Sequence, residues 1–188
     1  VMTTWKTGKR RIAKQIRRGE LPVERFIGSI STHPQTRVPG TAVYMFPEPG
    51  TTPPALLANL KHNGVLHETV VLVAVRTAGK PKVPQAKRAT VHPLGEGFFQ
   101  VVLTFGFLEP PDVPRALENI VDHDFGVHHP EETTYFLGRE SVVNLAEGEM
   151  RGWRTALFAF MYRNASNAGQ FFGLESQRVI ELGTRVRM

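Results

Sequence analysis

The chain has 188 residues, no cysteine and a formal net charge of +6. Lack of cysteine excludes disulfides, thiolate chemistry, cysteine-ligated zinc and iron–sulfur clusters, and no apolar run approaches the ~20 residues that a membrane-spanning helix needs. The charge is local: residues 1–20 hold seven basic residues against the single acid Glu20, while residues 21–188 hold 16 of each sign. The excess that would attract a nucleic acid therefore belongs to one short arm, and the remainder has no net field to draw in a polyanion.

The arm, residues 1–20, is expected to be helical. Ile12 and Ile16 lie four apart among basic residues, and Trp5 stands upstream of the charges. Its start, VMTTWKTGKRR, has no long apolar region ahead of a cleavage site and does not read as a signal peptide. Gly19 and Pro22 interrupt the arm. Val23, Phe26, Ile27 and Ile30 then make a second apolar set, which predicts a short helix docked on a single domain over 21–188. HPQTRVPG (33–40) reads as a linker, and TAVYMF (41–46) as a buried strand. PEPGTTPPALLANLKHNG (47–64) is turn followed by helix, with Thr52 the expected N-cap, Pro53 in the first turn and Asn63-Gly64 the stop. ETVVLVAVRT (68–77) has the continuous apolar run of a central strand covered on both faces. Strand, helix and strand with short joins predict a parallel, right-handed β-α-β unit.

AGKPKVPQ (78–85) is a proline-rich loop. RATVHPL (88–94) and FFQVVLTFGF (98–107), joined through Gly95-Glu96-Gly97, predict an antiparallel hairpin. EPPDVPRALENIVDHDF (109–125) predicts a helix capped by Asp112, with Leu117, Ile120 and Val121 as its apolar stripe. TTYFLGRESVV (133–143) is a strand, and GWRTALFAFMYRNA (152–165) a strongly apolar helix that buries Trp153, Leu157, Phe160 and Met161. AGQFFGL (168–174) is a short helix or turn, and RVIELGTRVRM (178–188) a final strand. The fold class that follows is α/β (α+β): a mixed β-sheet with a β-α-β start, an antiparallel hairpin and covering helices.

Three stretches carry residue types that could do chemistry. KHNGVLHE (61–68) sets His62, His67 and Glu68 around a turn, a combination zinc accepts. A cation in a last helical turn and a residue just ahead of a strand explain the two histidines without a metal. DHDFGVHHPEE (122–132) gathers Asp122, His123, Asp124, His128, His129, Glu131 and Glu132, which is also the composition of a solvated loop, and no H-E-x-x-H pattern is present. PEPGTTPPA (47–55) joins a strand to a helix N-terminus, where amides can hold an anion. It lacks both phosphate-loop patterns, and its prolines remove donors. SISTH (29–33) has no nucleophile elbow around it. Most of the aromatic residues sit within apolar runs and read as core, not as a base-stacking platform. No catalytic set, metal site or cofactor site is expected, and the chain reads as a non-enzyme.

Several stretches together resemble the cytoplasmic C-terminal region of the Kup/HAK/KT potassium uptake permeases: RVPGTAVYMF (37–46), PPALLANLKHNGVLHETVVLVAVRT (53–77), GFFQVVLTFGFLEPPDVPRAL (97–117), TTYFLGRE (133–140), WRTALFAFMYRNA (153–165) and RVIELGTRVRM (178–188). TTWKTGKRR resembles the segment that emerges from the last transmembrane helix of these proteins. The resemblance implies a regulatory or stabilising domain on the cytoplasmic side of the cell membrane. Potassium:proton symport would be carried by an upstream membrane domain whose ion-binding residues have no counterpart here. The implied partners are that transmembrane domain, the anionic membrane surface and a second copy of the chain in a homodimer, with no nucleic acid. Trp5 suits the bilayer interface, and Lys6, Lys9, Arg10, Arg11, Lys14, Arg17 and Arg18 suit a cytoplasmic flank, so these eight are the expected membrane-surface contacts. The rival reading is a sensor domain that binds a nucleotide such as a cyclic dinucleotide, which would use the 47–55 turn or a dimer groove.

Overall fold

Spacing of three and four between Val23, Phe26, Ile27 and Ile30 puts all four on the buried side of helix α1 (Val23–Thr32), the docked helix that the pattern requires. The structure, a computed structural model, describes residues 21–120, 132–143 and 171–187. The helical arm over 1–20, most of the polar stretch 122–132 and the apolar helix around Trp153, Leu157, Phe160 and Met161 lie outside the described residues.

After α1 come strand β1 (Thr36–Met45), helix α2 (Pro54–Asn63), strand β2 (Val65–Ala78), the hairpin strands β3 (Ala89–Gly95) and β4 (Phe98–Gly106), helix α3 (Val113–Glu118), and strands β5 (Thr133–Val143) and β6 (Val179–Arg187). The six strands form one mixed sheet in the order β3-β4-β2-β1-β5-β6. β4, β2, β1, β5 and β6 run parallel, and only β3 is antiparallel, to β4. The fold is thus α+β, with the expected β-α-β start (β1-α2-β2) and antiparallel pair.

Side chains alternate across the sheet, as the period of two demands. Ala42, Tyr44, Leu66, Val70, Leu72, Phe98 and Phe136 face α1 and α2. Val43, Val71, Val73, Val101, Leu103, Phe105, Tyr135 and Leu137 face the other way, toward Val113, Ala116 and Leu117 of α3 and toward Leu174. Val70 to Ala74 are all buried, so β2 is covered on both faces.

Several boundaries differ from the sequence reading. The expected linker over 33–40 is half strand: Thr36, Arg37 and Val38 pair with Val65, Leu66 and His67 before the register shifts at Pro39-Gly40. Proline has no N–H for the ladder and Gly40 has φ +95°, so the pair forms a bulge instead of ending the strand. Thr52 does not cap α2. Pro53 holds that position, the Thr52 hydroxyl is buried without a partner, and the Thr52 backbone N–H is tied to the Leu21 carbonyl at 2.8 Å. Helix α3 keeps Asp112 as its cap, with Oδ1 accepting the Arg115 N–H, but stops at Glu118, where the Asn119 side chain donates to the Arg115 carbonyl and ends the turn. Strand β4 ends at Gly106, which leaves Phe107 outside the ladder.

Candidate functional site

The join at 61–68 is built by asparagine. Gly64 ends α2 in the left-handed conformation, φ +68°, and its N–H donates to the Leu60 carbonyl. Asn59 is buried; its Nδ2 donates to the Val65 carbonyl at 3.2 Å, and its Oδ1 accepts Asn63 Nδ2 at 2.7 Å. One side chain thereby fixes both the helix end and the first residue of the next strand. His62 is exposed in the last turn of α2, the position that suits a cation. His67 is not ahead of the strand but inside it, third in β2, because pairing with Val38 extends the ladder upstream. Its ring meets Phe136 edge-on at 6.0 Å, and its backbone carbonyl accepts Arg37 Nη1 at 2.8 Å. Its Nδ1 is buried without a hydrogen bond, and burial pushes the imidazole below its ordinary value of 6.5. Tyr44 stacks on the other side of this cluster, 4.6 Å from Phe136, and burial raises its phenol far above the usual range, with Asn59 opposing. Among the described residues no three His, Asp or Glu side chains converge on a point where a metal ion would be held. The turn joins helix to strand; it does not present ligands.

The 47–53 turn occupies the place where ligands bind in open parallel sheets. It leaves the carboxyl end of β1, between β2 on one side and β5 on the other, where the strand order reverses. Two of its amides are already used. The Gly50 N–H goes to Gln100 Oε1 at 3.0 Å, and the Thr52 N–H goes to Leu21. Pro47, Pro49, Pro53 and Pro54 have no N–H to offer. The space beside the turn, lined by Phe46, Pro49, Leu72 and Gln100, amounts to about 10 Å³, room for one water at most.

The most densely bonded polar group is one the sequence did not single out. The Glu109 carboxylate accepts the backbone N–H groups of Gly106 (2.7 Å) and Val83 (2.9 Å) and the Arg88 guanidinium. Arg88 also donates to the Val83 carbonyl and lies over the Phe105 ring, 5.1 Å from its centroid. The two amides first, then the Arg88 charge, hold the Glu109 carboxyl below its ordinary range against an opposing desolvation. A cavity of about 370 Å³ opens beside Arg88, between β3 and α3. Arg88 Nη2 is engaged by Glu109 and Val83, while its Nε is buried without a hydrogen bond.

Not every described aromatic residue is core. Phe107 and Leu108, just past β4, are 56% and 67% exposed, and Phe171 is 58% exposed. The run GFL reads as the tail of a strand, and nothing local announces that the ladder stops one residue short. The eight membrane-contact candidates, Trp5 to Arg18, lie outside the described residues.

Residues 39–188 match the family model described as the K+ potassium transporter C-terminal domain. The whole chain is 50% identical to a protein of Pseudomonas syringae pv. tomato named probable potassium transport system protein Kup, and covers 30% of it. Proteins of the same name from Acidiphilium cryptum and an Anaeromyxobacter strain are 45% and 43% identical over 99% and 100% of the chain, which covers 29% of each. The chain thus spans less than a third of the length of the curated relatives it matches. No solved structure matches it.

Proposed function

The chain belongs to the potassium transporter C-terminal domain family, and from that membership we propose that it is the cytosolic regulatory and stabilising domain of a potassium uptake permease. Residues 1–20 form a basic arm leaving the last transmembrane helix, and residues 21–188 form one domain beneath it. The observation that carries this reading is one of extent. The chain aligns end to end with under a third of proteins named for potassium transport, and no helix among the described residues is long and apolar enough to cross a membrane. Selecting potassium requires dehydrated oxygen ligands around a pore or cavity, so potassium:proton symport belongs to the remainder of the permease. This domain then acts on transport by biasing the conformation or assembly of the membrane part, as a non-enzyme, with its own second copy as a partner.

Deleting residues 21–188 from the full permease is expected to lower potassium uptake or protein abundance while leaving the preference among potassium, rubidium and sodium unchanged. The measurement is uptake in cells lacking other potassium systems, normalised to permease in the membrane. A changed ion preference would place this domain in the permeation path and end the regulatory reading. The nucleotide-sensing rival has the position of the 47–53 turn in its favour, but the turn's committed amides and the lack of space beside it oppose that rival. A panel of nucleotides, cyclic dinucleotides included, is expected to leave the melting temperature of the chain unchanged.

A further inference from the structure

The strands of the sheet do not end level. Met45, the last residue of β1, pairs with Val73, yet β2 continues for five more residues to Ala78, in register with β4 as far as Gly106. At about 3.3 Å per residue the β2–β4 pair overruns β1 by roughly 16 Å, so the loops that follow it, 79–85 and 107–112, project from the carboxyl end of the sheet, as the β5–β6 pair also does on the other side of β1. At the end of this projection stand Phe107 and Leu108, the most exposed large apolar pair adjacent in sequence among the described residues. They are held firmly. The Phe107 N–H donates to the Lys80 carbonyl at 2.9 Å, the Leu108 N–H to the Pro81 carbonyl at 3.2 Å, and the Glu109 carboxylate beneath them fastens Val83 and Gly106.

The charge on the loop that holds the pair is of one sign. The loop they are bonded to, AGKPKVPQ, carries the exposed Lys80 and Lys82 and no acid. Of the nearby acids, Glu109 is paired with Arg88, while Asp112, the cap of α3, keeps its charge and is exposed. Two rigid apolar side chains ringed by lysine are what an anionic lipid surface accepts: the apolar groups reach the headgroup boundary and the ammonium groups meet lipid phosphate.

The topology puts this tip at the end of the domain where the basic arm joins. The Leu21 carbonyl is bonded to Thr52, and the Val23 N–H to Gly50, both in the turn at the carboxyl end of β1; α1 then runs back to the opposite end, where β1 starts. The junction with residues 1–20 and the Phe107–Leu108 tip therefore face the same way.

We propose that the Phe107–Leu108 tip, flanked by Lys80 and Lys82, is a second membrane contact that inserts into an anionic leaflet and seats the carboxyl end of the sheet against it. This rests on the reading of the chain as the membrane-proximal part of a permease. It adds a surface and an orientation: the 47–53 turn faces the bilayer, and the β3–β4 hairpin turn at Glu96-Gly97 points away.

The natural lack of cysteine allows a single label to be placed at will. An environment-sensitive fluorophore on Leu108→Cys of the full chain is expected to shift to the blue and gain intensity on vesicles of phosphatidylcholine with 30% phosphatidylglycerol (roughly the anionic share of a charged leaflet). The same label on His62→Cys, at the other end of the sheet, is expected to stay in water. Phe107→Ser with Leu108→Ser should weaken vesicle partition about tenfold, and Lys80→Glu with Lys82→Glu should do the same on anionic vesicles only. Circular dichroism and melting confirm that each variant is folded; if the double serine variant is not, the label on Leu108 decides. Vesicle binding with the Leu108 label still in water would mean that the arm alone holds the membrane, which overturns this inference and leaves the permease reading intact. Equal shifts at both labels, or no binding at all, would also overturn it, and the permease reading would still be judged by ion uptake.

Discussion

Arg88 and Glu109, 21 residues apart, close a polar cluster at the end of the sheet: the guanidinium donates to the carboxylate, and both also bind the backbone of Val83. The pair fastens the proline-rich loop after β2 to the end of β4. Because the acid also accepts the Gly106 N–H, it replaces ladder hydrogen bonds at the point where the two strands run out of partners.

Glu109→Gln is therefore expected to lower the melting temperature and to speed amide exchange at Val83 and Gly106. The sign of its pH dependence follows from the depressed carboxyl. A group that ionises more readily folded than unfolded adds stability that is present above its unfolded value, 4.5, and lost as pH falls through the lower folded value. Melting curves from neutral pH down to about pH 3 should fall more steeply for the native chain than for the glutamine variant. Parallel curves would show that the carboxylate is not held by these bonds.

Gly106 is a site of close approach. A Cβ there would press on the Pro81 carbonyl and on the backbone of Lys82, neither of which can swing aside as a side-chain tip would. Gly106→Ala should cost about 1–3 kcal/mol, read as a lower urea midpoint with unchanged slope. An unaffected midpoint would mean that the 79–85 loop is not packed on β4.

His67 carries linkage of the same sign as Glu109 at a higher pH, from a different cause. Burial holds its imidazole below 6.5, so the unfolded chain takes up a proton more readily than the folded one. Stability is then highest above 6.5 and falls as pH drops through that value. His67→Gln is expected to flatten the melting temperature between about pH 7.5 and 5.5. The exposed His62, changed in the same way, serves as the comparison; if it flattens the profile equally, burial of His67 is not the cause.

The arm and the tip make separable contributions to membrane binding. A chain that starts at Leu21 should bind anionic vesicles more weakly than the full chain and lose most of its salt dependence, since seven of the basic residues are gone and each is worth on the order of 1 kcal/mol near an anionic leaflet. Co-sedimentation at low and high salt measures this, and equal binding by both chains would remove the arm from the membrane contact.

Much of the architecture was legible in local pattern. The spacing of Val23, Phe26, Ile27 and Ile30 marks a docked helix because a helix repeats every 3.6 residues. Asn63-Gly64 marks its neighbour's end because Gly64 takes a left-handed φ without strain. The run from Val70 to Ala74 marks a doubly covered strand, and Gly95-Glu96-Gly97 marks a hairpin. Each signal resides in a few adjacent residues, and the same residues carry the family resemblance. What the tertiary structure decided depends on residues far apart in the chain. Strand order set β1 beside β5 and β2 beside β4, and unequal strand lengths then made both the β2–β4 and the β5–β6 pairs run past β1. Phe107 has the same side chain as the buried Phe98 and Phe105, yet it is exposed because no strand continues beside it. Arg88 met Glu109, and the Thr52 N–H met the Leu21 carbonyl, for the same reason: backbone groups at the end of a sheet must find partners wherever the fold brings them.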